Sequence, residues 1–326
     1  MEIKYIDLFS GIGGFRIAAM QVFKSQNIAS KCVFSCEIDP HARETYMENF
    51  NETPFGDITR LEGNAVPEHD LLFAGFPCQP FSIIGKGNGF DDARGTLFFD
   101  IARIIKAKRP KAFILENVKR LVSHKNGHTL KRIIETLEGL GYFVDFKVLN
   151  ALDYGLPQKR ERVFIVGFDK PYFFIWPQNF FKRKSLSEIL EKNVDKKFFV
   201  SDYIRNKRAA KHKPKCSPSI WHENKAGNIC SYPYSCALRA GASYNYLLVD
   251  GKRRLTPREM LRLQGFPDSF KIVSSDFQTK KQAGNAVPVN LVQAVLESLL
   301  PILQETYINH TNEYEKHRFS QIAHCG

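Results

Sequence analysis

The chain has no uninterrupted apolar run near the roughly 20 residues that a membrane-spanning helix needs. It has no Cys-x-x-Cys pair, no strict Gly-x-Gly-x-x-Gly, no glycine loop ending in Lys-Ser or Lys-Thr, and no internal repeat. These absences argue against a zinc ribbon, a phosphate-cradling nucleotide loop and a solenoid. The seven cysteines are an odd number, which speaks against a disulfide scaffold and for free thiols. Cys216, Cys230 and Cys236 lie near His212 and His222, but spacings of 14 and 6 fit no common zinc pattern, so no metal is expected. Met1–Lys4 runs straight into the apolar Tyr5–Phe9, so no cleavable leader and a soluble, cytoplasmic protein are expected.

What is present is a globular composition: 326 residues, 43% hydrophobic and 13% aromatic, enough for one large domain or two moderate ones. The net charge of +13 is unevenly placed. Residues 171–262 hold 19 Lys+Arg against 7 Asp+Glu, and the remaining 234 residues are nearly balanced. Basic tracts such as Lys182-Arg183-Lys184 and Arg205-Asn206-Lys207-Arg208 alternate with Phe180-Phe181, Phe198-Phe199 and Tyr203. A surface of that kind suits a polyanion, since each cation placed near a phosphate releases counterions. Nucleic acid is the expected partner.

The first 170 residues alternate strand-like runs with amphipathic helical patterns. Strands are predicted at Tyr5–Phe9, Cys32–Cys36, Asp70–Ala74, Ala112–Leu115 and Val163–Val166. Phe15, Ala18, Ala19, Val22 and Phe23 repeat at helical spacing, as do Leu130, Ile133, Ile134 and Leu137. This succession predicts an α/β, doubly wound, mostly parallel sheet with helices on both faces. The 171–262 stretch breaks the rhythm and reads as irregular. Val289, Val292, Leu296, Leu299 and Leu303 then line a closing helix, predicted to open near Asn285 and to pack back on the first domain. The expected organisation is a discontinuous large domain, 1–172 with 278–326, interrupted by a small irregular domain at 173–277.

Glycines in Asp7-Leu8-Phe9-Ser10-Gly11-Ile12-Gly13-Gly14-Phe15 let backbone approach a ligand at the carboxyl end of the first strand. Glu37-Ile38-Asp39 ends the second strand, where an acidic side chain commonly takes ribose hydroxyls, and Gly56-Asp57-Ile58 supplies a further acid. Together they suggest an adenosine-bearing ligand without phosphates, which favours S-adenosylmethionine over a nicotinamide dinucleotide or ATP. Gly75-Phe76-Pro77-Cys78-Gln79-Pro80-Phe81-Ser82 follows the third strand and sets a thiol on a rigid loop, as a nucleophile requires. Leu115-Glu116-Asn117-Val118 aims a carboxylate at the same rim. Gln158-Lys159-Arg160-Glu161-Arg162 puts Gln158, Arg160 and Arg162 on one strand face, where buried arginines need partners.

In this order DLFSGIGG, EID, GDI, FPCQPFS, ENV, QKRER, RRLTPRE and GNAVPVN resemble the motifs of C5-cytosine-specific DNA methyltransferases of bacterial type II restriction–modification systems. The likeness runs over nearly the whole chain, is strongest to the GCGC-modifying members, and thins in the basic stretch. It implies an S-adenosylmethionine-dependent methyltransferase fold with a target-recognition domain. It implies that Cys78 adds to C6 of a flipped cytosine, Glu116 acts at N3 and the exocyclic amine, Arg162 binds the base, and Arg160 lies near the target phosphate. By the same resemblance Phe9, Gly11, Gly14, Glu37, Ile38, Asp57, Ile58, Pro77, Leu97 and Asn285 face the cofactor, and Ser82 and Arg94 lie near DNA phosphates. Ile38 stands where many relatives carry tryptophan. Ile84 replaces a serine in the loop that enters the emptied base position, which suggests an apolar plug. Arg239, in the segment Trp221–Tyr246, is a candidate reader of guanine or a phosphate contact.

The resemblance further implies double-stranded DNA as partner, a monomer, and protection from a cognate endonuclease that forms no stable complex with it. The alternative is a tRNA cytosine-5 methyltransferase, but the Cys-Phe-Thr motif of those enzymes is missing. A nicotinamide oxidoreductase leaves the Pro-Cys motif and the basic stretch unexplained. A DNA-binding module with a decayed site does not fit the joint presence of Cys78, Glu116, Arg160 and Arg162.

Overall fold

The computed structural model describes residues 2–77, 97–178, 182–243 and 245–304. In chain order the strands are β1 (Ile3–Leu8), β2 (Ser30–Cys36), β3 (Leu71–Gly75), β4 (Ala112–Val118), β5 (Phe143–Asn150), β6 (Gln158–Lys159) and β7 (Glu161–Phe168). Further strands are β8 (Ile220–Glu223), β9 (Ile229–Tyr232), β10 (Ser235–Cys236) and β11 (Leu247–Val249). The helices are α1 (Gly14–Ser25), α2 (Pro40–Phe50), α3 (Leu97–Lys108), α4 (Arg120–Ser123) and α5 (His128–Gly139). They continue with α6 (Leu186–Ile189), α7 (Asp202–Ala209), α8 (Pro257–Leu263), α9 (Asp276–Asn285) and α10 (Val289–Leu303).

Six strands form one sheet in the order β2-β1-β3-β4-β7-β5. The pairs β1–β2, β1–β3 and β3–β4 are parallel, while β7 runs antiparallel to both β4 and β5. The expected α/β, mostly parallel sheet is therefore present, with one reversed strand. Side chains alternate between two buried layers, as the period of two demands. Tyr5, Phe73, Ile114, Phe164 and Val166 face one layer, shared with Phe15, Val22 and Phe23 of α1 and the apolar side of α10. Ile6, Leu8, Leu72, Phe113, Leu115 and Ile165 face the other, shared with Ile101 and Ile105 of α3 and Ile133 and Leu137 of α5.

Local signals set the helix starts. Asp39 caps α2 by accepting from the His41 and Ala42 amides, with Pro40 in the first turn. Thr256 and Glu259 form a capping box on α8. Glu259, 0% exposed, also holds Arg253 through two 2.8 Å contacts. The RRLTPRE motif is thus a structural staple.

The fold departs from the sequence reading in two places. Asn285 closes α9, and the last helix opens at Val289, because Ala286–Pro288 run extended between them. The basic stretch holds a three-stranded antiparallel sheet, β11-β8-β9, whose strands of three or four residues are too short to show a period. By length and composition Asp276–Leu303 would pass as a membrane span, but it is broken between α9 and α10 and 72% of its apolar window is buried.

Candidate active site

Strand order decides where the chemistry gathers. β2, β1, β3 and β4 are parallel neighbours, so their carboxyl ends share one edge, and the order reverses at β1. The β1–α1 turn is pinned there by Ser10 N donating to Cys36 O at 2.9 Å and by Gly11 N donating to Glu37 Oε2 at 2.8 Å. The other Glu37 oxygen accepts from Asp39 N at 2.8 Å. Burial raises the Glu37 pKa despite these donors. Phe9 and Gly11 both have φ +54, and no atom lies within 4 Å of where a Gly11 Cβ would point. Gly14 differs: its Cβ would lie 2.9 Å from Val287 Cγ1, so close packing demands that glycine.

The other cofactor candidates lie on several further segments. Ile38 is 69% exposed, an apolar side chain bare beside Glu37. Asp57 accepts from Thr59 N and Oγ1, which lowers its pKa, and Ile58 beneath it is buried. Phe55, two residues earlier, bridges to Cys36 and brings this loop alongside β2. Leu97 opens α3 half-buried, Pro77 is exposed at the end of β3, and Asn285 is exposed between buried Gly284 and Ala286.

Two residues that the sequence reading passed over sit under the turn. Both carboxylate oxygens of Asp7 and the hydroxyl of Ser10 are buried with no hydrogen-bond partner. Burial pushes the Asp7 carboxyl up to about 8, against the pull of Arg16. The signal for Asp7 was a single acid inside the apolar Tyr5–Phe9 run. A phosphate-free adenosyl group fits this donor set: an acid at the end of β2, an apolar face at Ile38, open space over Gly11, and an orphaned hydroxyl.

The reactive rim lies next to it. Gly75 pairs with Glu116 in the β3–β4 register, and a Cβ on Gly75 would stand 3.7 Å from Glu116 Oε2. Asn117 Nδ2 donates to Phe76 O at 3.0 Å, fixing the chain that leads into residue 78. Arg162 Nε donates to Glu116 Oε1 at 2.8 Å, with the two side chains 13% and 12% exposed. Burial raises the Glu116 pKa, opposed by Arg162 and then Arg160. A carboxyl so placed can carry a proton at a pH where a free glutamate has lost it. Cys78, Ser82, Ile84 and Arg94 lie outside the described residues.

Arg160 is buried between two segments of the chain. The residue is 1% exposed, and its guanidinium donates to the carbonyls of Leu238, Gly284 and Ala286 at 2.8, 3.0 and 2.8 Å. Three backbone carbonyls surround it where an anion would otherwise be needed. Gln158 is enclosed as well, donating to Leu263 O and accepting from Leu238 N. Arg239 is exposed, its guanidinium 4.9 Å from the centre of the Tyr246 ring. His222 and Cys230 are a cross-strand pair with Nδ1 and Sγ 4.0 Å apart, while His212 Nε2 lies 2.8 Å from Ser231 Oγ.

Comparison with known proteins gives concordant results. A family model described as C-5 cytosine-specific DNA methylase matches residues 3–300. The chain is 56% identical over 294 residues to Type II methyltransferase M.NgoBI of Neisseria gonorrhoeae, covering 89% of this chain and 91% of that protein. It is 54% identical over 302 residues to Type II methyltransferase M.HaeII of Haemophilus aegyptius, covering 92% and 93%. Among solved structures, the Entamoeba histolytica methyltransferase EhMeth superposes with a TM-score of 0.73 at 18% identity, over 94% of this chain and all of that one, a likeness of fold.

Proposed function

Since the chain belongs to the C-5 cytosine-specific DNA methylases and is a type II DNA methyltransferase, we propose how its residues carry out the transfer. A cytosine flips out of the duplex into the cleft beside Gly75–Pro77. The Cys78 thiolate forms a bond to C6, and the displaced ring electrons move to N3, where the proton of Glu116 arrives. C5, now enamine-like, becomes the nucleophile. S-adenosylmethionine, when bound, supplies a methyl group on a sulfonium. After C5 accepts the methyl and S-adenosylhomocysteine is left behind, loss of the C5 proton to solvent returns electrons to the ring and expels the Cys78 thiolate, and the N3 proton goes back to Glu116. Arg162 orients Glu116 and the base. Phe9, Gly11, Glu37, Ile38, Asp57, Ile58, Pro77, Leu97 and Asn285 hold the cofactor, with Gly14 supporting the turn.

The observation that carries this reading is the Glu116–Arg162 pair: a buried carboxyl with a raised pKa at the rim that leads to Cys78. A duplex with 5-fluorocytosine at the target tests it. Fluorine cannot leave as the C5 proton does, so a covalent adduct at Cys78 should accumulate with cofactor present. Absence of any adduct in a protein that transfers tritiated methyl groups would overturn the assignment.

The finer parts of the reading stand on resemblance and charge. Residues 173–277 are the target-recognition domain, with Arg239 toward guanine or phosphate, and Ser82 and Arg94 near phosphates. Ile84 plugs the emptied position, and Ile84→Gly should lower 2-aminopurine fluorescence at the target. The site contains GCGC, which bisulfite sequencing of DNA from expressing cells would reveal. The enzyme works as a cytoplasmic monomer on nucleoid DNA and protects it from an endonuclease of the same specificity.

A further inference from the structure

Arg160 ties together two segments with different tasks. One is Leu238–Ala240, which carries the exposed Arg239; the other is Gly284–Ala286, which presents the exposed Asn285. Its Nη1 donates to Leu238 O, and its Nη2 donates to both Gly284 O and Ala286 O. The segments also touch directly: a Cβ on Gly284 would lie 2.4 Å from Ala240 N. Val287, one residue beyond Ala286, packs on Gly14 of the glycine turn. Contact therefore runs unbroken from that turn through 284–287 to the loop bearing Arg239.

Burying a guanidinium costs several kcal/mol, and apolar packing could brace a core equally well. What an apolar side chain cannot do is hold three carbonyls from two segments in one planar fork. Resting on the methyltransferase reading above, we propose that Arg160 is a positioning residue that couples DNA engagement at the Arg239 loop to cofactor binding at the Asn285 segment. Such coupling is reciprocal: DNA tightens cofactor binding by the factor by which cofactor tightens DNA binding.

Titration calorimetry of the full chain with S-adenosylhomocysteine, with and without a duplex carrying the methylation site, reads this factor. The wild type should bind about fivefold or more tightly with DNA, in the usual range for coupled sites. Arg160→Met should bring the ratio close to one while methyl transfer falls, and Arg160→Lys should keep part of it. Gly284→Ala, which wedges Ala240 away and leaves Arg160 intact, should also lower the ratio. Hydrogen exchange on the wild type needs no variant: DNA alone should slow exchange of the amides of residues 284–287 and 289. A wild-type ratio preserved in folded Arg160→Met, or exchange at those amides indifferent to DNA, would overturn the proposal. Methyl transfer by the same wild-type preparation reports separately on the parent reading, so transfer without coupling sinks only the coupling.

Discussion

Glu116 and Arg162 meet at 2.8 Å across the β4–β7 pairing, yet the Glu116 carboxyl keeps a raised pKa. Desolvation outweighs the attraction of the guanidinium. The buried pair therefore favours the protonated carboxyl more than an exposed ion pair would.

Catalysis should carry that signature. In the proposed mechanism the acid form of Glu116 is the active one, so kcat should fall as pH rises through its raised pKa. Glu116→Gln should remove that limb and lower kcat roughly 10²–10⁴-fold. Affinity for S-adenosylhomocysteine should stay unchanged, since the proposed mechanism puts Glu116 on the base side. Single-turnover methyl transfer across pH measures both effects.

Asp7 should shape stability. Its pKa rises from 3.8 unfolded to about 8 folded, so the folded chain keeps a proton that the unfolded chain has lost in between. The contribution is fully present below about pH 4 and is lost as pH climbs toward 8, on the order of a few kcal/mol. Asp7→Asn should flatten this decline and raise Tm most at pH 8 and above, as thermal unfolding from pH 4 to 9 would show.

Glycines of the first turn should separate by role. Gly11→Ala should cost only about 1 kcal/mol in stability, from its left-handed backbone. The same change should weaken S-adenosylhomocysteine about tenfold or more, because the methyl enters the open space where the cofactor is proposed to bind. Gly14→Ala should instead cost about 1–3 kcal/mol in stability through the clash with Val287. Urea unfolding beside calorimetry distinguishes the two.

Glu259 should matter more for the fold than its place in a family motif suggests. Glu259→Ala strands the nearly buried Arg253 and removes the capping partner of α8, for a loss of about 3–5 kcal/mol in urea unfolding.

Ile38 leaves room for a gain. Ile38→Trp should enlarge the apolar face beside Glu37 and tighten S-adenosylhomocysteine by about fivefold, equivalent to about 1 kcal/mol of added burial. An unchanged Kd would place the adenosyl group elsewhere.

Much of this was legible in the chain because the informative features are local. An apolar strand, a glycine turn and an acid some 25 residues on need only backbone rules. The same holds for Glu-Asn within β4, as that motif ends a strand and parallel strands end at one edge. Sequence spacing could not say that β7 would insert antiparallel between β4 and β5, since periodicity reports which face a residue takes and not which strand lies beside it. Nor could it tell Gly11 from Gly14, or Arg160 from Arg162, two residues apart in the chain. One arginine faces a carboxylate; the other is enclosed by carbonyls of residues 238, 284 and 286. Burial and partner identity come from segments far apart in sequence, and these decide which charges are held, which are shifted and which are spent on structure.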